Sequence, residues 1–342
     1  MKIGLCNTDE RVALIAEIGN NHEGSMEVAR EMIHVAHECG ADAVKLQSLV
    51  PELFVSPDQP KRLAQMRRFA LAPEEYVELI EESAAAGITV FSTPLDLSSL
   101  RTLVPVVSLL KISSGDITYR QLLEEAASTG LDIILSTGAS THAEVSRAVE
   151  VIEQAWAGAD VRPHLGLLHC VSSYPAPPES LNLHAVRTLQ DLFPKCIVGY
   201  SDHSIGNAAA LHAVAVGGRI VEKHFTLDHN FSEFRDHAMS SDPFEFTRLR
   251  TELSELELML GTGRKEPAEC ELKARPLIRR SVTARIDLHA GDLVATSDVI
   301  CQRPETGLGA WYVPEVIGQR VRSAIEAGIP LQRGDFDQGS GA

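Results

Sequence analysis

The sequence predicts an α/β protein, with a (β/α)₈ TIM barrel over residues 1–261 and a small β-rich domain after it. Three observations indicate this fold class. Eight short β-branched runs recur through the first part of the chain, each followed by a helical pattern or a long loop. Polar residues interrupt the ends of these runs, on the face where barrel enzymes keep their active sites. After Gly261 the sequence becomes charged and proline-bearing, and then shows short strands with turn signals.

The predicted strands follow one another in regular order. They are VALIAEIG (12–19), DAVKLQ (42–47), ITVFST (88–93), VSLLKISS (107–114), LDIILST (131–137), LGLLHC (165–170), CIVGYS (196–201) and GRIVEKHF (218–225). Apolar runs of this length that alternate with helical segments are typical of parallel βα units.

Helix signals lie between the strands. Ser25 can cap a helix whose apolar residues recur at helical spacing up to Gly40, a residue that commonly ends helices. Pro73 suits the first position of the helix that follows it. The segment 48–72 shows no clear period, and we predict that it is an irregular lid or substrate loop.

The C-terminal part is predicted to be a separate domain. Residues 262–280 are typical of a linker, and residues 281–342 carry short strands and turn signals such as HAGD and EAGIP. A domain of roughly 60 residues buries too little surface to be robust alone. We therefore expect it to lean on the barrel or on another subunit.

Charge and composition exclude several classes of function. The net charge of the chain is −16, and residues 262–342 are balanced, so the acidic excess lies in the barrel. This charge argues against nucleic acid or an anionic membrane as a partner, and no apolar run is long enough to span a membrane. Six scattered cysteines without a C-x-x-C pair, and an N-terminus without an apolar signal region, suit a reduced cytoplasm.

Two lysines lie inside apolar strands. Lys45 in VKLQ and Lys111 in LLKIS enter crowded surroundings, where a charge is costly without a partner, and we expect both to bind an anion. A polar residue at one strand end is more simply explained by the start of a loop. Five hydroxyl groups at such ends would nevertheless suit phosphate or carboxylate oxygens: Thr93, Ser114, Ser136, Ser172 and Ser201.

Two histidines leave successive strands at matching positions. His203 lies in YSDHS and His224 in EKHF. Neighbouring strands are about 4.8 Å apart, so both side chains can reach one ion. Imidazole suits Mn²⁺, Fe²⁺, Co²⁺ or Zn²⁺, and two protein ligands leave room for water and substrate. A lone histidine is more often a core or loop residue, but the matched pair predicts a metal site.

Three carboxylates are candidates for catalytic proton transfer. Glu23 and Asp116 follow the first and fourth strands, and Glu222 lies two residues before His224 on the same strand face. Carboxylates near a divalent metal can hold its water or move protons. Asp116 could equally be a surface carboxylate.

Together these motifs resemble the sialic acid synthase family, whose members condense phosphoenolpyruvate (PEP) with an N-acetylated sugar. The family's barrel motifs are matched in order by AEIGNNHEGS, KLQ, FSTP, LKISSGD, ILSTGAS, LLHCVSSYP, GYSDHS and EKHFTLD. Its C-terminal antifreeze-like domain, of the SAF type, is matched by RRSVTARIDLHAGDLV and QRPETGLG. The likeness covers almost the whole chain.

The resemblance implies a reaction. PEP would lie over the barrel mouth between the two lysines and the five hydroxyl groups. The two histidines would bind a divalent metal, Mn²⁺ in the first instance with Mg²⁺ or Co²⁺ as alternatives, which would polarise the sugar aldehyde. C3 of PEP would attack that carbonyl, and phosphate would leave by C–O cleavage. The three carboxylates would position water and shuttle protons.

The resemblance also implies further site residues. Tyr174 and Asp236 match positions near the sugar. Arg303 matches an arginine that the family's SAF-like domain offers to the sugar's N-acetyl group on the partner subunit's barrel, so a domain-swapped homodimer is implied. The family often has Glu where this chain has Asp116, which shortens the reach of this side chain.

One region departs from the family pattern. After FTLD the family commonly reads Gly-Pro-Asp-His, whereas residues 229–243 of this chain read HNFSEFRDHAMSSDP. Phe234 and Arg235 replace glycine and proline, and they would reshape the sugar pocket. N-acetylmannosamine is therefore the default acceptor. The diacetamido sugars that lead to legionaminic or pseudaminic acid, and a less familiar nonulosonate precursor, are its competitors.

Two alternatives remain open. A 3-deoxy-aldulosonate synthase or a pyruvate aldolase would keep the barrel. However, a Schiff-base aldolase needs a lysine without a phosphate partner, and a phosphorylated sugar needs basic residues beyond Arg235. A non-catalytic sugar-binding barrel would have no chemical need for two buried lysines, two histidines and Glu23 together.

Overall fold

The computed structural model describes residues 1–158 and 162–337. The chain divides into two compact units, Met1–Gly261 and Thr262–Ala342. The last five residues of the predicted second domain lie outside the described residues.

Eight parallel strands form the barrel of the first unit, which confirms the predicted fold class. They are β1 (Ala13–Gly19), β2 (Ala43–Ser48), β3 (Val90–Pro94), β4 (Leu109–Ile112), β5 (Asp132–Ser136), β6 (Leu165–Cys170), β7 (Ile197–Asp202) and β8 (Ile220–His224). Their hydrogen-bonded order is β3-β2-β1-β8-β7-β6-β5-β4, and β3 and β4 meet where this order closes. A short antiparallel hairpin, Lys2–Ile3 with Cys6–Asn7, precedes β1.

Helices surround the barrel. They are α1 (Met26–Glu38), α2 (Pro51–Phe54), α3 (Pro60–Phe69), α4 (Pro73–Ala85), α5 (Leu97–Leu103), α6 (Arg120–Ser128), α7 (His142–Ala155), α8 (His184–Leu192), α9 (Ala208–Ala215), α10 (Arg235–Met239) and α11 (Pro243–Leu260). Ser25 caps α1 by accepting a hydrogen bond from the backbone N–H of Val28, and Pro73 lies in the first turn of α4. Both helix starts were predicted.

The prediction of an irregular segment over 48–72 is wrong, because this segment forms α2 and α3. Each begins with a proline in its first turn. Met66 and Phe69 are the buried residues of α3, and they pack with Leu49 and Val55 in a small core of their own. Because α3 is rich in basic residues and buries only these two side chains, its sequence shows too few apolar residues to establish a helical period.

The strands are buried on both faces, since side chains fill the barrel inside and helices cover it outside. β7 and β8 approach each other closely at Gly199, where an added Cβ would lie 2.2 Å from the carbonyl oxygen of Ile220. Glycine is therefore required at this position. The close approach involves the first residue of β8, four residues before His224.

The second unit contains a two-stranded antiparallel sheet, β9 (Ser281–Ala284) with β10 (Val299–Gln302), and the short helices α12 (Arg275–Ile278) and α13 (Val313–Val316). Its small core includes Val282, Leu288 and Leu331. Residues 262–280, predicted to be a linker, are exposed throughout and include α12. Within the described parts of the chain, we find no helix that is long and apolar enough to cross a membrane.

Candidate active site

A cavity of about 900 Å³ opens at the C-terminal ends of the barrel strands, and all eight strand ends contribute to its lining. Most of the predicted site residues line it: Lys45, Thr93, Lys111, Ser114, Ser136, Ser172, Tyr174, Ser201, His203, Glu222, His224 and Asp236. Glu23 and Asp116 of the first unit lie outside this lining, and Arg303 belongs to the second unit.

Lys45 is buried in the cavity floor beside a carboxylate that the sequence analysis missed. Its Nζ lies 2.5 Å from Glu17 Oε2 and donates to Thr93 Oγ1 at 3.0 Å. Burial opposes the charge of Lys45, but Glu17 and Glu222 hold its pKa above the usual value. Burial raises the pKa of Glu17 to about 7, against the opposing effect of Lys45. Glu17 lies inside the apolar run VALIAEIG, so the reasoning applied to the lysines would have identified it.

Lys111 has a weaker counter-charge. Its Nζ donates to Ser136 Oγ at 2.7 Å, and the nearest carboxylate oxygen, of Glu222, is 3.9 Å away. Burial lowers the pKa of Lys111, and Glu222 offsets this only in part. Burial alone would raise the pKa of Glu222, but Lys111 and Lys45 together lower it, and Ser201 donates a hydrogen bond to its Oε1. The ammonium group of Lys111 is therefore well placed to bind an incoming anion.

A compact cradle of polar groups lies beside Lys111. The backbone N–H of Gly138 donates to Ser114 Oγ at 2.9 Å. An added Cβ at Gly138 would lie 2.5 Å from Ser172 Oγ, 2.6 Å from Cys170 Sγ and 2.9 Å from Ser114 Oγ. Only glycine leaves these groups free to converge on a ligand. Hydroxyl donors of this kind suit a phosphate or carboxylate group.

His203 and His224 come together as predicted from their spacing. Their ring centroids are 5.5 Å apart, and the ring of Tyr174 lies 4.2 Å from that of His203. His203 Nδ1 lies 2.7 Å from the carbonyl oxygen of Val171, which can accept a hydrogen bond from Nδ1–H and so leave Nε2 free. Burial lowers the pKa of both histidines, which favours the neutral form.

The chemistry of this donor set fits a divalent cation. Metal ligation requires neutral imidazole, which burial favours here. Glu222 Oε2, an oxygen atom of a residue that lines the same cavity, is buried without a hydrogen-bond partner. The two histidines therefore meet the requirements of a site that leaves positions open for substrate.

A second group of possible ligands has a simpler explanation. His229, Asp242 and Glu245 lie close together outside this cavity. Asp242 accepts from the backbone N–H of Glu245 at 2.8 Å, and Glu245 accepts from that of Asp242 at 3.2 Å. These two carboxylates form the capping box of α11, and we assign no metal to them.

Glu23 does not line the cavity. Its carboxylate accepts a short hydrogen bond from Ser232 Oγ and lies 3.4 Å from both Arg68 Nη2 and His237 Nε2. Ser232 and His237 belong to the loop and short helix after β8. Glu23 thus connects the loop after β1 with the segment that departs from the family pattern.

Asp116 also lies outside the cavity lining. Asp116 accepts a hydrogen bond of 2.6 Å from Ser113 Oγ, and Ser113 does line the cavity. Burial raises the pKa of Asp116 above its usual value. Arg303 is an exposed residue of the second unit.

The outer part of the cavity is basic and aromatic. Arg235 lies with its guanidinium carbon 5.4 Å from the centre of the Tyr174 ring. Phe234 packs edge-on against Phe69 of α3, with ring centroids 4.8 Å apart. Lys61 and Arg62 of α3 line the same cavity, and the sequence analysis missed both because it predicted no helix there.

Comparisons with known proteins agree with this geometry. The NeuB family profile matches residues 32–265, and the SAF domain profile matches residues 279–337. An N,N'-diacetyllegionaminic acid synthase of Legionella pneumophila is 36% identical over 93% of this chain and 92% of its own length. A pseudaminic acid synthase of Campylobacter jejuni is 33% identical over 98% of this chain and 100% of its own length.

A solved structure extends the likeness to three dimensions. The crystal structure of an N-acetylneuraminic acid (sialic acid) synthetase from Leptospira borgpetersenii, in complex with citrate, is 34% identical, with a TM-score of 0.74. The match covers 80% of this chain and 94% of that one. This chain therefore belongs to the NeuB family, carries a SAF domain at its C-terminal end, and is an enzyme of the sialic acid synthase type.

Proposed function

We propose that this enzyme condenses PEP with the open-chain form of an N-acetylated amino sugar, giving a nine-carbon nonulosonic acid and phosphate with the help of a divalent metal. One observation carries the proposal. Two buried ammonium groups among hydroxyls share a single cavity with two neutral histidines. A phosphate ester with a carboxylate suits the first set, and a divalent cation suits the second. The names of the relatives support a nonulosonic acid as product.

PEP would lie across the ends of β2 to β6. One anionic group would bind to Lys111, whose counter-charge is distant, and to the cradle formed by Ser114, Gly138 and Ser172. Lys45 would hold the other, with Thr93 donating beside it. Ser136 and Ser201, which already bond to Lys111 and Glu222, would keep these two charged groups in place.

His203 and His224 would hold the metal, for which Mn²⁺ is the first choice and Mg²⁺ or Co²⁺ are alternatives. When bound, the ion supplies Lewis acidity at the aldehyde oxygen of the sugar. The contribution of the protein is to keep both imidazoles neutral and to fix the ring of His203 through the carbonyl group of Val171.

The proposed reaction forms one C–C bond and breaks one C–O bond. The C2–C3 π electrons of PEP attack the aldehyde carbon, and the aldehyde oxygen takes up a proton. Water adds to C2 of the resulting oxocarbenium ion and loses a proton. The C2–O bond to phosphate then breaks, phosphate leaves with the bridging oxygen, and C2 becomes a ketone.

The buried carboxylates would carry the protons. Glu17, whose pKa is raised towards neutrality, can hold a proton and release it. Glu222 is kept ionised by the two lysines and can accept a proton from the attacking water. Asp116 would act through Ser113, to which it is hydrogen-bonded. Glu23 would position the acceptor loop instead of moving a proton.

The acceptor sugar would lie under Tyr174, Arg235 and Asp236. We place a diacetamido sugar first, because a relative at 36% identity is a diacetyllegionaminic acid synthase, and N-acetylmannosamine second. A phosphorylated amino sugar is a further candidate, because Lys61 and Arg62 supply the additional basic residues that it would need.

Arg303 would complete the sugar site of a second copy in a domain-swapped homodimer. Hybrid dimers test this directly. Arg303→Ala and Lys111→Ala chains should each be inactive, but co-expression should restore about a quarter of the wild-type rate, because half of the dimers then contain one intact site. Hybrids without activity would show that Arg303 does not act across the dimer.

Product analysis tests the reaction. The enzyme would be given Mn²⁺, PEP labelled with ¹⁸O at the bridging oxygen, and each candidate sugar in turn. We expect a nine-carbon acid from one sugar, with the label in phosphate. Label retained in the organic product would contradict C–O cleavage. A folded, metal-loaded protein that consumes PEP with none of the sugars would contradict the proposed function.

A further inference from the structure

Lys223 lies between two residues of the active site but points away from the cavity. On β8, Glu222 and His224 face the cavity, so the alternation of a strand directs Lys223 to the opposite face. There it is 1% exposed, and it lies in register with Asp202 of β7, which is 0% exposed. Burying two charges is unfavourable, because both ions lose their hydration, and their mutual attraction must offset this loss. Such a pair calls for an explanation beyond packing.

The hydrogen bonds of this pair surround His203. Lys223 Nζ donates to Asp202 Oδ2 at 2.9 Å, to the carbonyl oxygen of Ser204 at 2.5 Å and to that of Gly206 at 2.9 Å. Asp202 Oδ1 accepts from the backbone N–H of Ser204 at 2.8 Å and from its hydroxyl at 2.6 Å. The ammonium group of Lys223 thus donates one hydrogen bond to the residue before His203, which is Asp202, and two to residues after it, which are Ser204 and Gly206.

His203 depends on such support because it lies just beyond the end of β7, which stops at Asp202. On the side of β6, its carbonyl oxygen accepts from the backbone N–H of Ala176 at 2.9 Å, and its ring lies against the Val171 carbonyl. On the side of β8, Lys223 ties the same turn to the strand that carries His224. The two histidines are thereby connected through one side chain.

We propose that Lys223 is a positioning residue that holds the turn 202–206 and so fixes the distance between His203 and His224 for a divalent metal. This inference rests on the metal site of the proposed function. A role in stability alone is a poor explanation, because a buried ion pair can often be replaced by apolar residues without loss of stability. Groups that orient metal ligands typically contribute 10-fold to 100-fold to metal affinity.

The test measures Mn²⁺ affinity of the full-length protein by electron paramagnetic resonance, after removal of metal with a chelator, together with the melting temperature. Lys223→Met should weaken Mn²⁺ binding about 10-fold to 100-fold, whereas Lys223→Arg should stay within a few-fold of wild type. The affinity for PEP measured without metal should not change, since Lys45 and Lys111 lie on the other face of the sheet.

A second variant separates positioning from stability. Lys223→Met leaves Asp202 buried and unpaired, which can unfold the protein. The double variant Lys223→Met with Asp202→Asn removes that charge and should recover the melting temperature while Mn²⁺ binding stays weak. Arg250→Met serves as a matched control, because it removes a partner of Asp42 on the outside of the barrel. It should change stability but not Mn²⁺ affinity.

The outcomes distinguish a failure of the positioning role of Lys223 from a failure of the metal site itself. If the double variant binds Mn²⁺ as tightly as wild type, Lys223 is structural only and the inference is wrong. If wild type itself binds no Mn²⁺, and His203→Ala makes no difference, the proposed metal site is wrong and the inference fails with it.

Discussion

The two sides of the cavity are built differently. On the side assigned to PEP, Lys45, Lys111 and Ser136 stand on barrel strands and are buried. On the side assigned to the sugar, Arg235, Lys61 and Arg62 stand on short helices, and the side chain of Arg235 is 73% exposed. A side chain fixed by a strand and its neighbours supplies precise chemistry, whereas loops and short helices can vary without cost to the barrel. We therefore expect the side chains on the strands to carry the reaction, and those on the short helices to select the sugar.

The largest expected effect comes from the buried side. Lys111→Met should weaken PEP binding about 100-fold or more, because it removes a charge-assisted contact and leaves Glu222 with one fewer counter-charge. Calorimetry measures this affinity. Lys61→Met, which removes an exposed cationic group on the other side, is the matched control and should change it little. If the two substitutions weakened PEP binding equally, the cavity would not have separate sides for PEP and for the sugar.

The contrast also explains what the sequence could predict. The eight strands and the residues at their ends were predictable, because apolar runs mark the strands and parallel strands bring their ends to one face. Glu17 was predictable by the same reasoning but was missed. Lys61 and Arg62 could not be found, because α3 has only Met66 and Phe69 buried and no sequence signal shows which way its charged residues face. Asp116 and Glu23 were recognised as polar strand ends, but their partners depend on loop geometry.

The next effect concerns the cradle beside Lys111. Gly138→Ala would push the hydroxyls of Ser114 and Ser172 apart, and a displacement of about 1 Å can cost 100-fold in rate. We expect kcat/KM for PEP to fall about 10-fold to 100-fold with little change in melting temperature. Gly334→Ala, at a position where an added Cβ meets nothing within 4 Å, is the control. An unchanged kcat/KM would show that PEP does not use the cradle.

A smaller effect is a dependence on pH. Burial raises the pKa of Glu17 to about 7, so Glu17 is protonated below this pH and charged above it. The charged form repels an anionic substrate. PEP affinity should therefore fall as pH rises through this value, by up to about 10-fold per unit, relative to that of Glu17→Gln. The ratio of the two affinities removes the titration of PEP itself. A ratio that does not change with pH would mean that Glu17 does not titrate in this range.

The smallest effect is expected on the exposed side. Arg235 is the first residue of α10, where proline is tolerated, so Arg235→Pro restores the family pattern without breaking the helix. Loss of a cation near an aromatic ring at an exposed site is worth about 0.5–1 kcal/mol, so KM for the sugar should change about two-fold to five-fold. The KM for PEP should stay constant, as it should for the control Arg67→Ala. A large change in KM for PEP would contradict a separate sugar side.

Phosphate release from PEP, measured with and without a sugar acceptor, in Mn²⁺ and in a chelator, tests the metal site and the reaction together. We expect rapid release only when metal and one acceptor, first of all a diacetamido sugar, are both present. We also expect that His203→Ala abolishes this release while PEP still binds. Phosphate release that continues undiminished in the chelator, or in His203→Ala, would contradict the assignment of the histidines and with it the proposed reaction.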